Sequence, residues 1–397
     1  MSWPRVKLGD VATINPRLPR DIDETQLVTF VAMASASGDG YLLDSEARVL
    51  SETKKGFTYF DKNDVLLAKI TPCFENGKCL RPGHIPTEVG FGSTEFHVIR
   101  PASEKLDGLY LFYLVWNEQF RFWGEKSMSG AAGQRRVGSE FLREYEIPLP
   151  PLPEQKRIAA VLDKANAIRR KRQQTTQLAD DFLRAVFLDM FGDPVANPKG
   201  WDLKRIEEIS ANDKYAIKAG PFGSALKKED YVSEGYKVYG QEQVIRDDLE
   251  YGNYFISEEK YKSLSSCSVS AGDVLISLVG SFGKVSVVPR DFHPGIINPR
   301  LMKVKLNDSC ANPWYVKYLL ATKEMVRKIE GMSHGGTMGI INVGKVRELE
   351  VINPPLNMQE DFLRISDQVR SITERCELVA ANPLFDSLTQ RAFSGRL

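Results

Sequence analysis

The run Asn353-Pro354-Pro355-Leu356 is the stretch that most invites a catalytic reading. An Asn-Pro-Pro loop followed by an aromatic residue suits methyl transfer to the exocyclic amine of adenine, because its polar groups hold the amine and its ring stacks on the flipped-out base. Leu356 stands where the ring is needed, and a leucine cannot stack. The matching stretch earlier in the chain, Leu149-Pro150-Pro151-Leu152, lacks the asparagine, and no glycine-rich loop after a strand offers a methyl-donor site. A rigid, extended lead-in to a helix is the better reading of both. Gly280-Ser281-Phe282-Gly283-Lys284 has the glycines and lysine of a phosphate loop but neither its length nor the Ser/Thr-led helix that should follow. It reads as a turn between two strands, from which Lys284 can still reach a DNA phosphate. Cys73, Cys79, His84 and His97 match no tight zinc-ligand pair. The chain has only four histidines, and none sits in a Ser/His/Asp or Cys/His context. The expectation is a chain with no catalytic residue, no metal and no bond chemistry of its own.

The basic residues are more informative. Arg135 and Arg136 follow the glycine-rich Ser129-Gly130-Ala131-Ala132-Gly133-Gln134, and a flexible loop carrying two guanidinium groups and a glutamine suits contact with base edges or phosphates. The same place further on reads Ser333-His334-Gly335-Gly336-Thr337, without the arginines. Loops around Lys69–Lys78 and Phe222–Lys228 combine lysine, hydroxyl and aromatic side chains. The candidate DNA contacts are Lys69, Thr71, Lys78, Gln134, Arg135, Arg136, Ser224, Lys227, Lys228, Lys284, Arg300 and His334. Between Glu154 and Gln177 lie Lys156, Arg157, Lys164, Arg169, Arg170, Lys171 and Arg172 against only Glu154 and Asp163. That run is either a solvated helix face or a contact with DNA phosphates or an acidic partner.

The elements that must position these loops come in a repeat. Trp3-Pro4-Arg5-Val6-Lys7-Leu8 is matched by Trp201-Asp202-Leu203-Lys204-Arg205-Ile206. A strand at Asp64-Val65-Leu66-Leu67 is matched by Asp273-Val274-Leu275-Ile276, and an apolar helix at Tyr110–Leu114 by one at Tyr315–Leu319. From Met128 to Pro151 the first half aligns without gaps on Met332 to Pro355. Between these anchors the halves diverge, as two reading heads with different targets would.

Each proline pair opens a long amphipathic helix. The first is expected from about Pro153 to Met190, since proline is tolerated in a first turn. Its seam is Ile158, Val161, Ala165 and Ile168, then Thr175, Ala179, Phe182 and Val186, and it stops at Gly192. The second is expected to start at Asn357 with Glu360 as a capping box. Its seam is Phe362, Ile365, Val369, Ile372, Cys376 and Val379, with a kink or restart at Asn382-Pro383. Ile158, Val161, Ile168, Phe182, Ile365, Val369, Ile372 and Val379 are the residues assigned to spacer packing and subunit docking. A helix of about 30 residues spans ~45 Å at ~1.5 Å per residue, or roughly 13 base pairs at ~3.4 Å each. The fold class that follows is α+β: two similar domains joined by two long antiparallel helices that form a coiled-coil spacer, with a pseudo-twofold repeat. The domains are expected at 1–152 and 193–355, with spacer helices at 153–192 and 356–397.

Bulk properties set the remaining limits. A length of 397 residues allows two or three domains, and a net charge of +1 means that any nucleic-acid binding must come from local basic patches. The first residues have no signal-peptide core, and the apolar stretch at Tyr110–Trp116 is too short to span a bilayer. Five scattered cysteines fit reduced thiols in a cytoplasmic protein.

Pro148-Leu149-Pro150-Pro151-Leu152-Pro153-Glu154-Gln155, followed by Ile158 and Leu162, together with Phe187-Leu188-Asp189-Met190-Phe191-Gly192-Asp193-Pro194, resembles the specificity subunit of type I restriction–modification systems. The second half adds Gly220-Pro221-Phe222-Gly223-Ser224, Gly272-Asp273-Val274-Leu275, Gly283-Lys284-Val285, Pro354-Pro355-Leu356 with Gln359, and Leu384-Phe385-Asp386-Ser387-Leu388 with Arg391-Ala392-Phe393 and Gly395. The likeness covers the full chain. Two departures are Met358, where the family usually has glutamate, and Gly77-Lys78 in a longer loop than Gly283-Lys284. The resemblance implies two target recognition domains, each reading one half of a bipartite, asymmetric site in double-stranded DNA, with helices that set the gap and dock two methyltransferase subunits. Those partners would hold S-adenosylmethionine, and restriction subunits would use ATP and magnesium. Two rivals remain: a self-contained adenine methyltransferase using Asn353-Pro354-Pro355-Leu356, and a coiled-coil adaptor without DNA binding.

Overall fold

The computed structural model describes residues 3–131, 133–280, 283–332, 342–377 and 381–397. His334 and Val379 lie outside the described residues. The chain divides into two compact units. The first holds residues up to Gln173 together with Glu377–Leu397, and the second holds Gln174–Cys376.

Each unit carries the same three sheets. In the first, the strand Arg5–Lys7 pairs antiparallel with Glu146–Pro148, Val6 lying opposite Ile147. In the second, Leu203–Arg205 pairs with Glu350–Ile352, Lys204 lying opposite Val351. The repeated Trp-led openings therefore close on the strands that precede the proline pairs. A four-stranded antiparallel sheet follows. In the first unit its order is Ala12–Ile14, Phe96–Pro101, Val65–Ala68, Cys79–Leu80. In the second it is Ile217–Ala219, Leu301–Val304, Val274–Ser277, Val285–Val287. The other four-stranded sheet contains one parallel pair in each unit, Leu27–Val31 beside Val89–Gly92 and Tyr236–Tyr239 beside Gly295–Ile297. The strands Val65–Ala68 and Val274–Ser277 are buried along their whole length, as the apolar runs Val65–Ala68 and Val274–Ile276 require.

The apolar helices are Gly108–Trp116 and Pro313–Ala321. Asp107 caps the first by accepting from the N–H groups of Leu109 (3.1 Å) and Tyr110 (2.9 Å), and Asn312 caps the second by accepting from Trp314 N–H (3.0 Å). Gln155 and Gln359, both fully buried, show what the proline-led motif does. Gln155 Oε1 accepts from the backbone N–H of Asp107 (2.9 Å) while Nε2 donates to the carbonyls of Lys105 (2.9 Å) and Pro150 (2.8 Å). Gln359 Oε1 accepts from Asn312 N–H (2.8 Å) and Nε2 donates to Pro354 O (2.8 Å). One side chain thus ties the start of each long helix to the cap residue of the apolar helix and to the proline turn. Asn353-Pro354-Pro355-Leu356 is the helix lead-in that its counterpart at Leu149–Leu152 also provides.

The first long helix runs Leu152–Phe191, 40 residues, or ~60 Å at ~1.5 Å per residue. The second runs Leu356–Glu377 and is followed by a helix at Ala381–Phe393, which places Asn382-Pro383 in a first turn. Asn357 lies inside the helix, so the capping box expected there is not formed. Leu356 opens the helix, and the N–H groups of Met358 and Gln359 donate to Pro355 O.

The expected seams need correction. Ile168 and Phe182 are each 51% exposed and Ile372 is 59% exposed. Val161, Ile365 and Val369 are half-buried, and only Ile158 is fully buried. The buried stripe of the first helix is Ile158, Leu162 and Asn166 in the first unit and Leu183, Phe187 and Phe191 in the second. In the second helix it is Gln359, Phe362 and Ser366. The helices are held by aromatic clusters on the heads. In the first unit Phe385 packs on Trp116 at 5.5 Å between ring centroids and Phe393 on Tyr110 at 5.6 Å. Arg157 Nη2 donates to Leu397 O (3.2 Å) and the Arg169 guanidinium lies 5.4 Å from the Phe385 ring, so the two helical segments there run in opposite directions. In the second unit Phe187 and Phe191 close on Phe362 at 5.4 and 5.8 Å.

Candidate nucleic-acid interface

The antiparallel sheet brings the chemistry-bearing loops to one edge of each unit. In the first unit Val65–Ala68 ends, and Phe96–Pro101 begins, at the same edge: Lys69 N–H donates to Glu95 O (2.9 Å). Val137 N–H donates to Lys69 O (2.9 Å), Thr71 N–H donates to Arg135 O (3.0 Å), and Ile70 forms an isolated bridge with Arg136. Lys69, Thr71, Gln134, Arg135 and Arg136 therefore share one surface, with Gln134 exposed and Lys69 half-buried.

Arg136 is not a loose guanidinium. It grips Glu95 with Nε on Oε2 (3.0 Å) and Nη2 on Oε1 (2.8 Å), and its Nη1 donates to Gln134 O (2.9 Å). Its hydrogen bonds hold the Glu95 carboxyl below the ordinary carboxylate range. Arg136 thus fixes the shape of the arm that presents Gln134. Arg135 Nη2 donates to Glu125 O (2.8 Å), and Thr71 Oγ1 donates to Glu75 Oε1 (2.6 Å). Lys78 lies beside this group in the backbone, its carbonyl accepting from Ala68 N–H (3.0 Å), but its side chain is turned to Met33 O (3.1 Å).

His97 anchors the same arm from beneath. The Asn15 side-chain oxygen accepts from Val98 N–H (3.0 Å), so its amide nitrogen faces His97 Nδ1 (3.1 Å), and His97 Nε2 donates to Val137 O (2.8 Å). The imidazole is neutral in this arrangement, and burial pushes its pKa below the ordinary value of 6.5. A depressed histidine binds fewer protons folded than unfolded. The stability it supports is complete above pH ~6.5 and is lost as pH falls from there toward the folded-state value. Urea titrations across pH 5–7.5 should show this loss, and His97→Gln should flatten that part of the profile; parallel profiles would discount the histidine.

In the second unit Ser277 N–H donates to Lys284 O (3.2 Å) and Leu278 N–H to Arg300 O (3.0 Å), which puts exposed Lys284 and Arg300 on the corresponding edge. The bond of Leu278 to Arg300 repeats that of Lys69 to Glu95, so register sets Arg300 where the first unit has Glu95. Gly220 reaches the same edge, its N–H donating to Leu301 O (3.0 Å), and carries the chain into the short 3-10 turn Gly223–Ala225, which includes Ser224. Lys227 and Lys228 follow as exposed residues ahead of the strand Tyr231–Val232. A Cβ on Gly220 would lie 1.9 Å from the Asn298 carbonyl oxygen, so only glycine lets the two loops cross. Gly220→Ala should cost about 2–3 kcal/mol in thermal or urea unfolding and displace the loop; an unchanged midpoint would contradict this crossing.

Sequence reasoning missed Glu95, Asn298 and Asn15, whose roles depend on partners distant in the chain. It also missed the carboxylates at the far end of each central strand, opposite the loop-bearing edge. Asp64 is held at both oxygens by Arg100 (2.8 and 2.7 Å), and buried Asp273 lies 3.6 Å from Lys303, with burial raising its pKa. Their positions in the repeated Asp-Val-Leu strands were the signal. In the basic run of the first long helix Lys156, Arg157, Lys164 and Lys171 are exposed, and Arg169 and Arg170 are drawn against the first unit. Arg157 pairs with Glu154 (2.7 Å), Arg169 donates to Asn166 Oδ1 (2.9 Å) and covers Trp116, and Arg170 sits 3.3 Å over the Tyr41 ring and 3.4 Å from Asp39. Among the described residues, no group of His, Cys, Asp and Glu could hold a metal ion, and no helix is long and apolar enough to cross a membrane.

An α+β unit that occurs twice, each copy gathering polar and basic loops at one sheet edge and joined to a long proline-led helix, defines a class of duplicated proteins. The description "Type I restriction modification DNA specificity domain" matches residues 2–178 and 198–377, and the chain belongs to that family. It is 42% identical over 164 residues to the EcoEI type I restriction enzyme specificity subunit of Escherichia coli and 39% identical over 158 residues to the EcoAI subunit of the same organism. These alignments cover 41% and 39% of this chain, but only 27% and 26% of the two relatives. The crystal structure of a type I restriction–modification S subunit from M. genitalium shares the fold, with a TM-score of 0.56 at 14% identity, covering 99% of this chain and 96% of that one.

Proposed function

We propose that this chain is the DNA-binding specificity subunit of a type I restriction–modification complex. Residues 1–152 and 193–355 act as target recognition domains, and 153–192 and 356–397 as spacer helices. Each domain reads one half of a bipartite site in double-stranded DNA. The observation that carries this reading is that one sheet edge recurs in both units with different side chains: Gln134 on the Glu95–Arg136 brace in one, Lys284 and Arg300 in the other. Two unlike readers require two unlike half-sites, so the target is not palindromic. The exposed Ile168, Phe182 and Ile372 are available for contact with two methyltransferase subunits, which would bring S-adenosylmethionine. Restriction subunits would add ATP- and magnesium-dependent cleavage, in the cytoplasm. This chain supplies no catalytic group and holds no cofactor in that scheme.

Exchange of residues 1–152 for the corresponding domain of a relative, followed by mapping of methylated sites in cells carrying the partner subunits, tests it. One half-site should change and the other persist. Loss or change of both would sink the idea of independent readers.

A further inference from the structure

Phe222 is 73% exposed, more than any other large hydrophobic side chain among the described residues. A lone exposed apolar residue is ordinary on a surface. This one is displayed: buried Pro221 precedes it, Gly223 follows in a left-handed conformation (φ 59°), and the crossing of Gly220 over Asn298 fixes the base of the loop. The loop leaves the sheet edge that carries Arg300 and Lys284. In the first unit the corresponding strand ends at Ile14, and Asn15 turns the chain away with φ 53°. The second reader alone puts a phenyl ring on this corner.

We propose that Phe222 is an apolar wedge that inserts at a base step of the half-site read by the second unit. The inference rests on the DNA-reading function proposed above. An exposed ring on a loop that leaves a cation-bearing edge can meet the backbone and the base stack at once: the cations engage phosphates, and the ring replaces part of the stacking that a kinked step gives up. Specificity at that step then comes from how readily the sequence unstacks, without a hydrogen bond to a base edge.

The test uses the full chain assembled with its methyltransferase partners and cognate DNA bearing 2-aminopurine at successive positions of the second half-site. Binding of the unmodified protein should raise fluorescence at one step other than that of the adenine its partners methylate. Phe222→Ala should abolish that rise and weaken binding roughly ten- to hundredfold, whereas Phe222→Leu, still a wedge, should keep both. Full affinity for Phe222→Ala, or a wild-type complex that raises fluorescence at no such step, overturns the wedge while leaving the DNA-reading function standing. A complex with no preference for its mapped methylation site overturns that function, and the wedge with it.

Discussion

Gln155→Ala should lower the unfolding free energy of the first unit by about 3 kcal/mol, and Gln359→Ala that of the second by about 2 kcal/mol. Gln155 satisfies three backbone groups and Gln359 two. Truncation leaves these groups without partners in a site too packed to hydrate fully, and each buried orphan costs about 1–3 kcal/mol. A domain has only about 5–15 kcal/mol in hand, so either change is large. Gln155→Glu should be no better than alanine, since a carboxylate cannot donate to the Lys105 and Pro150 carbonyls and would face both. Urea unfolding followed by tryptophan fluorescence reads the loss. A Gln155→Ala midpoint within the error of wild type would refute the tie between proline turn, long helix and capped apolar helix.

Deleting Lys171–Gln177 from the first long helix should shorten the gap between half-sites by about three base pairs. Seven residues remove ~10 Å of rise and turn the helix by ~700°, about 20° short of two full turns, so the buried faces beyond the deletion stay aligned. Both flanking stripes, Ile158–Asn166 and Leu183–Phe191, are left whole. Methylation-site mapping reads the gap directly. An unchanged gap would mean that the helix is not the ruler, and an altered half-site sequence would mean that the heads themselves were disturbed.

Local signals carried far in this chain. Proline pairs started both helices, the repeated Asp-Val-Leu runs became the central strands, and Tyr110–Leu114 and Tyr315–Leu319 became capped helices. The helix seams were read only in part: Ile158 and Phe362 do lie in the buried stripes, but Ile168, Phe182 and Ile372 do not. Spacing of three and four fits Ile168 and Phe182 as well as Leu162 and Leu183, and periodicity alone does not say which stripe meets the heads. Asn166 and Ser366, buried in the true stripe, are polar and so were invisible to a hydrophobic pattern. Lys69, Gln134 and Arg136 were legible only as separate loop candidates; that one edge gathers them, braced by Glu95, was hidden because Glu95 is 41 positions from Arg136 in sequence. The parallel strand pairs were equally hidden, since a long crossover leaves no turn signature between the partners.

The exchange of Glu95 for Arg300 at matched register gives the two readers unequal pull on a polyanion. At the first edge a carboxylate and its own guanidinium nearly cancel at a distance; at the second, exposed Arg300 stands at the register of Glu95 with no such counterweight among the described residues. If both edges read DNA as proposed, added salt should weaken phosphate contact at Lys284 and Arg300 more than at the self-neutralised Glu95–Arg136 pair. Raising ionic strength erodes the approach more than the final grip, so encounter rate and bound lifetime respond to salt to different degrees.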